Sequence, residues 1–97
     1  MMMKVSIPVE AGNKAIKDGS LPKTVMGFVD QMKPEAAYFG PEGGNRTMCF
    51  VFDLKDPSSI PSAAESFFVN LNASIELTPV MNLQDMKDGV ERARKNL

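Results

Sequence analysis

The sequence predicts an α+β domain with one antiparallel four-stranded sheet and helices on one of its faces, in the order β-α-β-β-α-β-α. Three observations predict it. Between Glu35 and Leu54, two strand-forming runs flank Pro41-Glu42-Gly43-Gly44-Asn45, a cluster suited to a tight loop. Within the second run, Met48, Phe50, Phe52 and Leu54 share one side through the two-residue period of a strand. The segments before and after this hairpin each combine one strand pattern with one helical stripe. The first six elements therefore follow the split-βαβ, ferredoxin-like order, and the seventh is a C-terminal helix.

Met1-Met2-Met3 reads as a loose start. Lys4 to Val9 alternates, with Val5, Ile7 and Val9 on one side, and Pro8 marks its far end. Asn13 is the expected N-cap of a short helix that breaks at Asp18-Gly19-Ser20-Leu21-Pro22. A main helix follows from about Pro22 to Lys33, where Val25, Phe28, Val29 and Met32 form a core-facing stripe. Pro34 stops it. After the hairpin, Asp56-Pro57-Ser58-Ser59-Ile60-Pro61 signals helix entry. That helix runs to Leu71 and buries Ile60, Ala63 or Ala64, Phe67 and Leu71, with Asn70 and Asn72 suited to its exit.

Ala73 to Met81 reads as a strand whose Pro79 favours an edge. Asn82 caps the last helix, which carries Leu83, Met86, Val90, Ala93 and Leu97 on one stripe. Its acidic start at Asp85 and basic end at Arg92, Arg94 and Lys95 suit the helix dipole.

Composition narrows the function. The chain of 97 residues has a net charge of −1, which supplies no electrostatic reason to bind nucleic acid or an anionic membrane. No apolar run approaches the ~18 residues of a membrane span, and the expectation is that no signal peptide precedes the first strand. Cys49 is the only cysteine, so the expectation is a reducing cytoplasm with no internal disulfide. The absence of histidine removes the commonest neutral-pH base, an imidazole metal ligand and a proximal haem ligand. No metal and no cofactor is expected.

With Lys4–Val9 and Arg46–Leu54 as central strands, pairing Lys4 with Asp53 sets Ser6 against Val51 and Pro8 against Cys49. These residues share the non-core face with Glu76, Thr78 and Val80. That face is too polar for a sealed core and too apolar for water alone. Pairing two such sheets would form a homodimer with a small-molecule pocket between them. Tyr38 joins this face if the hairpin loop has four residues. A five-residue loop would turn Tyr38 into the core and Phe39 outward. The first is preferred, because Phe39 is the better core residue.

Pro8-Val9-Glu10-Ala11-Gly12-Asn13, Lys33-Pro34-Glu35-Ala36-Ala37-Tyr38-Phe39 and Lys55-Asp56-Pro57-Ser58 together resemble a family of small bacterial proteins of unassigned function, similar to the dimeric α+β barrel superfamily. The resemblance spans nearly the whole chain and implies the barrel fold and dimerisation. It implies no activity.

The candidate ligand-binding residues are Tyr38, Asp53, Glu76, Ser6, Asn13 and Arg46. Asp53 reads first as a cross-strand partner of Lys4 and second as a general acid or base. Glu76 lines a pocket or faces solvent; Tyr38 contacts a ligand or packs a dimer interface. Gly12-Asn13 at a helix start, with Arg46 nearby, would suit an anion, although capping and solvation are the plainer roles. Cys49, lacking an imidazole to activate it, reads as a packed thiol.

Three functions compete. The first is a non-enzymatic dimeric barrel that binds a small organic ligand or regulates a partner. The second is a cofactor-free enzyme acting on a small carbonyl or aromatic compound through Tyr38 with Asp53 or Glu76. The third, an RNA-binding module, rests on the shared element order and the faint aromatic motif of Arg46–Phe52, and the charge disfavours it.

Overall fold

The computed structural model describes residues 1–97. Four strands and four helices follow in sequence: β1 (Met2–Ile7), α1 (Val9–Asp18), α2 (Ser20–Met32), β2 (Ala36–Glu42), β3 (Asn45–Val51), α3 (Ile60–Leu71), β4 (Ser74–Thr78) and α4 (Leu83–Arg94). The fold is α+β. Its single antiparallel sheet has the order β2-β3-β1-β4, so the two expected strands occupy the centre.

Alternation in β1 explains why the sheet is two-sided. Met3, Val5 and Ile7 are buried, while Met2, Lys4 and Ser6 point the other way and are only half-covered. Contrary to the expected loose start, Met2 pairs with Val51 and Met3 is fully buried. The strand stops at Ile7 because Pro8 has no N–H for a ladder. Pro8 becomes the residue before α1, and its carbonyl accepts from the N–H of Gly12 at 2.9 Å. Val9 is therefore helical and exposed, not a core strand residue. Asn13 lies inside α1 and caps nothing, which corrects the expected helix start.

Gly19 separates α1 from α2 at φ 81°, a left-handed conformation that costs glycine little. There the Asp18 carboxylate accepts from the Ser20 N–H at 2.8 Å, satisfying an otherwise orphaned helix-start donor. Hydrogen bonding from the Ser20 side chain, and then from this N–H, lowers the Asp18 pKa. The expected stripes of α2 and α3 both face inward, with Val25, Phe28, Ala63, Phe67 and Leu71 buried. At the centre, the Phe28 ring lies 4.5 Å from Phe50 and 5.4 Å from Phe67, and meets Phe52 edge-on at 5.5 Å. Offset and edge-on contacts of this kind add to the energy of burial. Between the two helices, Asn70 donates to the buried Thr24 hydroxyl at 3.3 Å.

Two registers differ from those predicted. Lys4 pairs with Cys49 and Ser6 with Thr47, four residues along β3 from the expected Lys4–Asp53 alignment. The facing is unchanged, because a shift of four preserves the two-residue period. The hairpin turn consists of Gly43 and Gly44 alone, at φ 61° and 83°. Two successive left-handed residues match the twist of a two-residue hairpin, so β2 extends to Glu42 and opposes Asn45. Tyr38 then lies opposite Cys49, on the preferred face. Phe39 turns to the helix side but stays 60% exposed, because β2 is an edge strand; its ring meets Phe50 edge-on at 5.8 Å. Beside it, Pro41 opposes Arg46.

Asn82 caps α4 as the sequence anticipates, and Asp85 completes a reciprocal capping box that sequence reasoning missed. However, α4 has no buried residue and packs extensively on no other element. The Cα radius of gyration is 15.9 Å and the principal extents are 55 × 26 × 18 Å. A compact chain of this length has a radius near 12.5 Å, so the protein is drawn out by its last helix.

Replacing Phe50 by Ala is expected to lower unfolding stability by about 3–5 kcal/mol, because it empties the contact shared by α2, α3 and β3. Phe39→Ala is expected to cost about 1 kcal/mol or less. Urea unfolding of both variants checks the contrast.

Candidate functional site

Helices α1, α2 and α3 cover the side of the sheet bearing Met3, Val5 and Ile7, and the other side carries no helix. The paired registers arrange this open side in rows. Ala36, Val51, Met2 and Thr78 form the first row, which is mostly apolar. Tyr38, Cys49, Lys4 and Glu76 form the second, and Gly40, Thr47, Ser6 and Ser74 the third. Greasy character thus gives way to charge and then to hydroxyls along one face.

A hollow of about 210 Å³ occupies the polar part, lined by Lys4, Ser6, Glu42, Thr47, Ser74 and Glu76. The Lys4 ammonium meets the Glu42 carboxylate at 2.6 Å. This bridge crosses β3 diagonally at the level of Thr47, which is 8% exposed although it faces the open side. The hydrogen bond to Glu42 raises the Lys4 pKa above its ordinary 10.5, partly opposed by desolvation, and the charges of Glu42, Glu76 and Cys49 reinforce it. Lys4 is accordingly a fixed cation at neutral pH. One cation and two carboxylates leave the hollow with a formal excess of one negative charge.

Ser6 and Glu76 belong to this hollow, and Tyr38 shares the row of Lys4 and Glu76 without lining it. The other sequence candidates lie elsewhere. Asp53 follows β3 and pairs with Lys55 at 2.8 Å rather than with Lys4. That hydrogen bond, followed by the charge of Lys55, lowers the Asp53 pKa. Its surroundings are a separate cleft of about 470 Å³ at the root of α4, which also takes in Lys33, Glu35 and Asp85. Arg46 projects to the helix side, where its Nη2 donates to Asn13 Oδ1 at 3.1 Å. Its guanidinium lies across Gly12, where an added Cβ would come within 2.6 Å of Nη1. Asn13 and Arg46 therefore tie α1 to β3 and do not face the hollow.

Within one chain, Tyr38 and Glu76 sit on opposite edge strands, with backbones about 14 Å apart at ordinary strand spacing. They form no acid–base pair at hydrogen-bond distance. Phe50 and Phe52 are buried against helices, so the only aromatic ring among the open-face rows is Tyr38. This departs from the stacking platform that the RNA-binding reading needs. No group of three or more Cys, Asp or Glu side chains converges as a metal-binding cluster.

Sequence reasoning missed Glu42, Thr47 and Ser74. Glu42 was hidden by assigning it to the loop. The adjacent pair Gly43-Gly44 carries the signal that would have placed it in β2, because two glycines suffice for a hairpin. No family model matches the chain, and neither a curated protein nor a solved structure matches it.

The Lys4–Glu42 contribution to stability has a defined pH window. Because the folded Lys4 pKa is raised, the contribution is complete below 10.5 and fades as pH rises through the higher folded value. The stability difference between wild type and Lys4→Met is therefore expected to hold from neutral pH to 10.5 and to shrink above it. Urea unfolding of both proteins across this range measures it.

Proposed function

We propose that the protein acts as a homodimer whose two open sheet faces enclose a pocket for a small organic ligand. The observation that carries this reading is the graded face itself, apolar at one end and lined by Tyr38, Lys4, Glu76 and hydroxyls further along. An apolar rim with a few convergent polar groups is the usual composition of a small-molecule site. The strand order and the antiparallel pairing are compatible with a ferredoxin-like domain and with the dimeric α+β barrel built from it.

Charge narrows the ligand class. Glu42 already neutralises Lys4 at 2.6 Å, and Glu76 adds an unmatched negative charge beside it. The site therefore favours a neutral or cationic molecule that donates hydrogen bonds to Glu76 and exchanges them with Ser6, Thr47 and Ser74. Tyr38 supplies an aromatic wall. Binding takes precedence over catalysis in this reading, since Tyr38 and Glu76 do not converge within a chain and Asp53 is engaged by Lys55.

Tyr38 is the only tyrosine, and the chain has no tryptophan, so its fluorescence reports on this face alone. It is 70% exposed in the single chain. Pairing of the sheets is expected to lower its acrylamide-quenching constant several-fold as concentration rises through the dimer transition seen by sedimentation equilibrium. A monomer at all concentrations, with unchanged quenching, would overturn the proposal.

A further inference from the structure

Three features of the last helix remain unabsorbed by the single chain. Leu83, Met86 and Val90 are 64%, 41% and 57% exposed on one stripe, and Leu97 is fully exposed beyond it. The helix has a complete capping box but no side chain buried against the rest of the protein. A helix of twelve residues is marginal in water on capping and propensity alone, and most helices of this length gain their stability by burying an apolar face. Something must cover this stripe.

We infer that α4 is an exchanged arm, and that its Leu83–Met86–Val90 stripe packs against a second copy of the chain, at the rim of the paired sheets. The inference rests on the sheet-to-sheet dimer proposed above and adds what holds it together. Area identifies the occupant. Four strands spaced about 4.8 Å apart, each roughly five residues long, present a face of only ~300 Å² in projection. A stable interface buries about 800 Å² on each partner. Even with generous side-chain relief the sheet face falls short.

An arm about 18 Å long and ~10 Å wide, with an equal footprint received from the partner, roughly doubles the projected contact to ~660 Å² per copy, which side-chain relief carries into the stable range. Such a reciprocal contact is self-complementary, and it closes as a two-fold dimer without leaving a surface free to extend.

Continuity of surface points the same way. Val80 and Met81, 42% and 67% exposed, link the stripe to the cleft containing Met1 and Val51, at the apolar end of the open face. Apolar side chains thus recur from the first row of the sheet to the root of α4, interspersed there with Asp53, Asn82 and Asp85. The chain is drawn out, and α4 has no residue buried against its own core.

The test uses the full chain and the double variant Met86→Asp/Val90→Asp, with Met26→Asp as control. Met26 is an equally exposed methionine on α2, 54% accessible, and should leave association unchanged. The double variant removes no buried side chain from the single-chain core, so the sheet and helices α1 to α3 are expected to stay folded. Sedimentation equilibrium should show its dimer dissociation constant raised on the order of 100-fold or more, since each buried Met or Val carries about a factor of ten. In a wild-type dimer mixed from ¹³C-labelled and unlabelled chains, isotope-filtered NOEs should connect Met86 and Val90 methyls to the other copy.

Unchanged dimer affinity in the double variant, with Tyr38 still shielded, would overturn the arm and leave the sheet pairing standing. Methyl contacts confined to one chain would do the same. A monomeric wild type would overturn both readings.

Discussion

The packing of three phenylalanines fixes the rest of this molecule. Phe50 lies near the end of β3, and Phe28 from α2 and Phe67 from α3 meet it and each other. All three are at most 3% exposed. One sheet side must face the helices to bury Phe50, and the strict alternation of the strand then turns Cys49 and Val51 to the opposite side. With only 17 buried residues in the chain, no second core exists to stabilise another arrangement. The chemical character of the open side is thus a by-product of where the core had to go.

That separation explains the division of labour among polar groups. Arg46 and Asn13, on the helix side, are used in joining α1 to β3. Lys4, Glu42, Glu76, Ser6 and Ser74, on the open side, serve no comparable structural link between elements other than the exposed Lys4–Glu42 bridge. Exposed ion pairs contribute little to stability, so this bridge adds little to the hold between β1 and β2. A single strand thereby carries a structural arginine and a site-facing threonine side by side.

Much of the fold is legible in the residues because it depends on local periodicity. Val5 and Ile7, Val25 and Phe28, and Phe67 and Leu71 declare their buried sides through spacing of two, three or four. Parity is equally legible, which is why Tyr38 reaches the open side although the turn is shorter than expected. Distances along a strand are not. An offset of four residues between β1 and β3 leaves every facing intact, and hydrophobic pattern alone cannot select between the two alignments.

The site was affected accordingly: Asp53 moved out of reach of Lys4, and Glu42 took its place. The open stripe of α4 is legible as a stripe, but whether a helix folds onto its own chain is a three-dimensional question that spacing leaves undetermined.

Pro41 has a consequence for how the protein behaves in a crowded solution. Glu42 and Asn45 close the two-residue turn as a mutually bonded pair, so the next residue along β2 directs its nitrogen outward, away from β3. With proline at that position, the exposed margin of the sheet lacks a donor where an incoming strand would need one. Pro79, immediately past β4, interrupts the opposite margin in the same manner. Both lateral borders are thereby made poor templates for fibril growth.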